Sequence, residues 1–114
     1  MGELTIERNG EIGSLESRVA TPLSLVVTEL IHNSLEHGLY KSGTKLRIEL
    51  QRYSNEGLVT ISDDGVGLPE GFDLVTSSNL GLQIVRTLTE NELKGELKLE
   101  STDKGTQAKL RFPL

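Results

Sequence analysis

The spacing of apolar positions changes several times along the 114 residues, and each change marks an element. ELTIER (3–8) alternates apolar and polar residues, which predicts a short strand, and the NGEIG after it carries a turn or hairpin signal. In TPLSLVVTELIHNSLEHG (21–38), Leu23, Val26, Val27, Leu30 and Ile31 recur at helical spacing. Thr21 is expected to cap this helix, with Pro22 at its first position and Gly38 as its stop. KLRIELQRY (45–53) and LVTIS (58–62) read as strands of an antiparallel hairpin turned at YSNEG. Residues 64–79 collect glycines, Pro69, serines and Asn79 and are expected to form a loop; one so long inside a compact domain is usually functional or mobile. NLGLQIVRTLTENEL (79–93) predicts a second amphipathic helix with Asn79 as its cap. GELKLES (95–101) and TQAKLRFPL (106–114) alternate as a final hairpin joined by TDKG.

Strand, helix, two strands, loop, helix, two strands is the order of an α+β protein. The expected fold is a two-layer sandwich, with helices on one face of a mixed, mostly antiparallel sheet. The length suits one domain over residues 1–114.

Composition removes several functions. The formal net charge of −5 argues against a nucleic-acid partner or a broad affinity for anionic lipid. A local phosphate site stays open, because backbone N–H groups bind anions without net positive charge. With no cysteine there is no disulfide, thiolate-bound metal or thiol nucleophile, and a reducing, cytoplasmic setting is the default. No apolar run reaches a membrane span, and MGELTIERNGEIG lacks the features of a signal peptide. Ile6 stands where a myristoylation motif needs Ser or Thr, so no direct membrane contact is expected.

Two common phosphate motifs are absent. The glycines of Gly65-Val66-Gly67-Leu68-Pro69-Glu70-Gly71 are spaced one residue too far for the dinucleotide fingerprint, and Pro69 blocks a helix there. Gly38 and Gly43 have the spacing of a P-loop, but Thr44-Lys45 follow where Lys-Ser/Thr is required.

Three other stretches carry candidate chemistry. Glu29 and Asn33 lie four apart on one helical face, with Glu36 and His37 a turn on. This stripe borders the apolar face, and it fits either a solvated polar edge or oxygen ligands for a hard cation with a phosphate contact. Asp63 ends a strand before Gly65 and Gly67, which suits either a tight turn or a carboxylate that accepts from a base's exocyclic amine beside freely turning backbone. Asn79-Leu80-Gly81-Leu82 opens a helix, which is either a plain cap or a set of N–H groups facing phosphate.

Taken in order, ELIHNSLEHG, DDGVGLPEG, NLGLQIV and DKGTQAKLRFP resemble, over nearly the whole chain, the ATP-binding domain of sensor histidine kinases. That domain belongs to the GHKL superfamily with gyrase, Hsp90 and MutL, and the likeness is to its short-lid subgroup with an ELxxNxxxHG-type first box. The resemblance implies the Bergerat-type sandwich, ATP and Mg²⁺. It assigns Asn33 to Mg²⁺ against the triphosphate, His37 to phosphate and Asp63 to the adenine amine. Gly65 and Gly67 would shape the turn, Leu80, Gly81 and Leu82 would form the second glycine box, and Thr106 would reach adenine through Asp63 or water. Glu29 matches the general base of the superfamily's ATPases. Ser77-Ser78-Asn79 stands where many kinases carry Gly-x-Gly, and Glu36 where many carry a phosphate-binding Lys. Phe72 is either a lid aromatic or a packing residue.

The function so implied is transfer of the γ-phosphate to a histidine on a dimerisation segment of the same kinase, with a response-regulator receiver domain as downstream partner. These 114 residues show no such helix pair, so the chain is expected to be an excised catalytic domain that does not autophosphorylate alone. The alternatives are a stand-alone anti-sigma-factor serine kinase that sequesters a partner, and a degenerate domain that binds nucleotide or only a partner.

Overall fold

The alternating stretches pair into one five-stranded sheet in the order β1-β2-β3-β5-β4. The computed structural model describes residues 5–38, 45–68, 72, 79–102 and 105–114, apart from the side chains of His37 and Thr102. β1 (Thr5–Gly10) runs parallel to β2 (Lys45–Arg52), and the pairs β2–β3 (Glu56–Asp63), β3–β5 (Gly105–Pro113) and β4 (Glu96–Thr102)–β5 are antiparallel. A parallel pair needs a long crossover, and α1 (Ser17–Asn33) supplies it between β1 and β2. α2 (Leu80–Thr87) lies between β3 and β4 in the chain. The predicted α+β sandwich, with its mixed and largely antiparallel sheet, is the observed fold.

One side of the sheet makes the core. Leu46, Val59, Ile61, Ala108, Leu110 and Phe112 meet Val19, Leu23, Val26 and Leu30 of α1 and Leu82 and Val85 of α2, all buried. Phe112 is fully buried because β3 carries a glycine beside it: a Cβ on Gly57 would stand 2.5 Å from the Phe112 ring. Phe72 also packs against this core, which favours the packing role for it. The other face of the sheet is polar, with Glu49, Gln51, Lys98, Lys109 and Arg111 along a shallow hollow.

Three local expectations are corrected. β1 runs on through Asn9 and Gly10, past the predicted end at residue 8, instead of turning into a hairpin there; residues 3 and 4 of the predicted strand lie outside the described residues. Gly10 is nevertheless needed: its φ is +83°, and a Cβ there would stand 1.9 Å from the Leu50 carbonyl oxygen. α1 begins four residues before Thr21, so Pro22 lies inside the helix rather than at its first position. Pro22 cannot donate to the Arg18 carbonyl and its ring crowds it. Burial of Val19 on the same face as Leu23 and Val26 offsets that cost, and the Glu16 carbonyl accepts from Val19 N and Ala20 N at 2.9 and 2.8 Å. In the last hairpin Thr102 and Gly105, the two ends of the predicted TDKG joint, already pair with each other and belong to the strands.

Both helices widen at their C-terminal ends into single π turns, Ser34–Gly38 after α1 and Leu88–Glu92 after α2. The first of these packs against β3 and β5. The loop joining β1 to α1 is tied to β2 by Arg52, whose Nη1 donates to the Ile12 and Ser14 carbonyls at 3.0 and 2.9 Å. Lys45 and Arg47 of β2 reach Glu7 of β1 at 3.3 and 3.1 Å. Hydrogen bonds from Lys45 and then Arg47 hold the Glu7 carboxyl below its ordinary pKa, so this tie is present at neutral pH and is lost as pH falls through that lowered value.

Thr89, in the second π turn, is 1% exposed and its Oγ1 has no hydrogen-bond partner among the described residues. A buried hydroxyl without a partner costs about 1–3 kcal/mol relative to an apolar group of the same shape. Thr89→Val is therefore expected to leave stability unchanged or raise it by about 1 kcal/mol, as read by urea unfolding. A loss above about 1 kcal/mol would show that the hydroxyl is satisfied in solution.

Candidate functional site

Asp63 is the last residue of β3, a central strand, and it is 8% exposed. A buried carboxylate must be hydrogen-bonded, and one donor is local: Gly65 N donates to Asp63 Oδ1 at 2.9 Å. The sheet register sets its neighbours. Asp63 pairs with Leu46 on β2 and with Thr106 on β5, and Thr106 pairs with Ser101 on β4. Directly opposed residues share a face of the sheet, so Asp63, Thr106 and Ser101 form a polar row at one end of an otherwise apolar surface.

The backbone closes tightly around that row. Gly105 has φ +138°, and a Cβ on it would stand 2.0 Å from the Asp63 carbonyl oxygen and 2.9 Å from Gly65 N. Gly67, at φ +82°, approaches the Ser101 hydroxyl so closely that a Cβ would lie 2.6 Å from it. Leu68 N donates to Ser101 Oγ at 3.1 Å. Next to Asp63, Asp64 anchors the turn to β2: Lys45 N donates to Asp64 Oδ1 at 2.8 Å, and Asp64 N donates to the Lys45 carbonyl at 3.2 Å.

A second grouping forms where α2 begins. Asn79 caps the helix, its Oδ1 accepting from Leu82 N at 3.0 Å. Its Nδ2 donates to Asn33 Oδ1 on α1 at 3.4 Å, which brings together two residues far apart in sequence. Glu29 stands one turn before Asn33, and its Oε2 would meet a Cβ on Gly81 at 2.5 Å. Asn79 Oδ1 lies 3.2 Å from that same point. Gly81 is thus needed for the approach of the Glu29 carboxylate to the start of α2. Glu29, Asn33 and Asn79 offer hard oxygen donors there, a set suited to Mg²⁺. Among the described residues no three His, Cys, Asp or Glu side chains cluster, so a cation held here would take further ligands from phosphate oxygens and water.

The predicted residues therefore fall into two sets. Asp63, Gly65, Gly67 and Thr106 share the strand-end row, while Glu29, Asn33 and Gly81 meet at the start of α2. The Ser34–Gly38 turn, which follows Asn33 directly, packs on the strands that carry Asp63 and Thr106. His37 belongs to that turn, but its side chain lies outside the described residues, as do Ser77 and Ser78. Leu82 is buried and its N–H serves the cap, whereas Leu80 is 70% exposed. Gly105 and Ser101 were missed. The hairpin register around TDKG, which puts residue 101 opposite 106, was the available signal for Ser101.

Known structures share this architecture. The histidine kinase domain of the Erythrobacter litoralis EL346 blue-light-activated histidine kinase matches with a TM-score of 0.89 over 100% of this chain and 53% of its own, at 28% identity. The Acinetobacter baumannii histidine kinase AdeS matches in fold with a TM-score of 0.77 over 97% of this chain, at 22% identity. The fold is thus that of histidine-kinase ATP-binding domains. In sequence, the chain belongs to the family described as histidine kinase-, DNA gyrase B- and HSP90-like ATPase, which matches residues 18–114. It is 41% identical over 114 residues to the sensor histidine kinase PdtaS of Mycobacterium tuberculosis and 30% identical to the blue-light-activated histidine kinase 2 of Erythrobacter litoralis. The chain spans 23% and 33% of the length of these two relatives.

Two glycines give opposed expectations. Gly81→Ala improves helix propensity by up to about 1 kcal/mol, displaces the flexible end of Glu29 and crowds the Asn79 side-chain oxygen only slightly, so unfolding stability should hold or rise. Gly105→Ala drives a Cβ into backbone at a left-handed φ and should cost about 2–3 kcal/mol. Urea unfolding of both variants decides; equal losses would contradict this packing.

Proposed function

We propose that the chain binds Mg-ATP and donates the γ-phosphate to a histidine on a separate dimerisation segment, as the cytoplasmic catalytic domain of a two-component sensor kinase. The observation that carries this reading is the buried strand-end carboxylate of Asp63, in one row with Thr106 and walled by glycine backbone. Such a carboxylate is suited to accept from an exocyclic amine, and the close backbone to lie along a flat base. Membership of the ATPase family and likeness to proteins named sensor histidine kinases support it. Among the described residues no helix is long and apolar enough to cross a membrane.

In this reading Asp63 and Thr106 hold adenine, with Gly65 and Gly67 shaping the wall around it. Asn33, with Asn79 and Glu29 beside it, would hold Mg²⁺, and the phosphates would run toward the N–H groups of Leu80 and Gly81 at the start of α2; Leu82, whose N–H serves the Asn79 cap, completes that box, and His37 would contact phosphate. When bound, Mg²⁺ neutralises charge on the phosphates. Nothing in this donor set suggests a covalent intermediate on the domain, so its residues act by positioning and charge stabilisation of an in-line transfer. Glu29 orients or deprotonates the attacking imidazole, a contribution of about 10²–10⁴ in rate. The acceptor histidine and the receiver domain that takes the phosphoryl group onward belong to other segments or proteins.

Mixing the chain with ATP, Mg²⁺ and a separately made helical acceptor domain tests the reading. Transfer to histidine supports it, transfer to serine indicates the switch-kinase alternative, and nucleotide binding without transfer indicates a degenerate domain. Asp63→Asn should weaken ATP binding about 10–100-fold by calorimetry, because a charged hydrogen bond to the base is lost. Unchanged affinity would remove Asp63 from the base site. Asn33→Ala should abolish the Mg²⁺ dependence of binding; a retained dependence puts the metal elsewhere.

A further inference from the structure

Ser101 belongs to none of the motifs that mark the site. It lies on β4, an edge strand, whose inward positions are Leu97, Leu99 and Ser101. The two leucines pack against the core, and the third position breaks the apolar stripe with a hydroxyl. That hydroxyl is two strands from Asp63 in the same row, with Thr106 between them. Its Oγ accepts from Leu68 N at 3.1 Å, and Gly67 leaves it room by having no Cβ. The glycine turn is therefore fastened at both ends by side chains from different strands. Asp63 holds Gly65 N at 2.9 Å, and Ser101 holds Leu68 N.

We propose that Ser101 is a positioning residue for the base end of the nucleotide site. It acts through the Gly65–Leu68 backbone, holding the turn in the form that lines the base, and it does not touch the nucleotide. This rests on the reading of Asp63 as the adenine contact. The competing view is an incidental hydrogen bond on an exposed serine, whose loss changes nothing beyond the bond. The two views differ in where a loss would appear. A positioning role at the base end weakens ATP and ADP alike and leaves the Mg²⁺ dependence as it was, since both nucleotides carry the same base.

The test compares Ser101→Ala with the wild-type chain in three measurements: calorimetric affinity for ATP and for ADP, amide hydrogen exchange at Leu68 without nucleotide, and the thermal midpoint. One net hydrogen bond corresponds to about a fivefold change in equilibrium. The expected result is faster exchange at Leu68 and a Kd raised by the same factor, up to about fivefold, for both nucleotides, with the midpoint lowered by no more than the few degrees that one hydrogen bond accounts for. An unaltered Kd in a wild type that binds ATP overturns the positioning role alone. A loss confined to ATP overturns it as well, because the defect then lies at the phosphate end. A wild-type chain that binds neither nucleotide overturns the nucleotide reading itself, and the role of Ser101 with it.

Discussion

A carboxylate buried at the end of a central strand constrains everything around it. Asp63 cannot rely on water, so the chain must turn at once to bring Gly65 N back to its oxygen. The turn then has to fit beneath the start of β5, where backbone meets backbone with no room for a Cβ on Gly105. β3 and β5 pair along the whole of β3, from Glu56↔Pro113 to Asp63↔Thr106, and that pairing fixes how the two glycine segments meet. The same pairing lines up Val59, Ile61, Ala108 and Leu110 beneath the helices, so the core and the strand-end row depend on one register. A slip of one residue would turn Asp63 to the polar face and the apolar set into solvent.

The sequence displayed the architecture well because its signals were local. Alternation along residues 45–53, the apolar run at 58–62 and helical spacing through Leu23, Val26 and Leu30 each follow from a face turned to the core. What escaped was governed by tertiary packing. Nothing near Thr21 and Pro22 reveals that Val19 has a place in the core, and that place is what extends α1 toward its N-terminus. Asn9-Gly10 resembles a turn, yet the glycine serves a parallel strand's close approach to Leu50.

Site residues were legible to different degrees for the same reason. Asp63, Gly65 and Gly67 lie within five residues and announce themselves as an acid followed by glycines. Glu29 and Gly81 lie 52 residues apart, and only the packing of α1 on α2 shows that the Glu29 carboxylate occupies the space a side chain at 81 would need. Gly105 owes its identity to the carbonyl of Asp63, a partner that no short motif contains.

The two ends of the site are not anchored alike. Around Asp63 the backbone is locked by glycines against neighbouring strands. At α2 the core grips Leu82 and Val85, while Leu80 lies largely in water and the Asn79 amide donates to Asn33 of α1 at 3.4 Å. The core therefore grips α2 through side chains, from Leu82 onward, whereas the strand-end row is held by backbone itself. A side chain can give way where backbone pressed on backbone cannot, so the strand end of the site has far less latitude in its sequence than the α2 end.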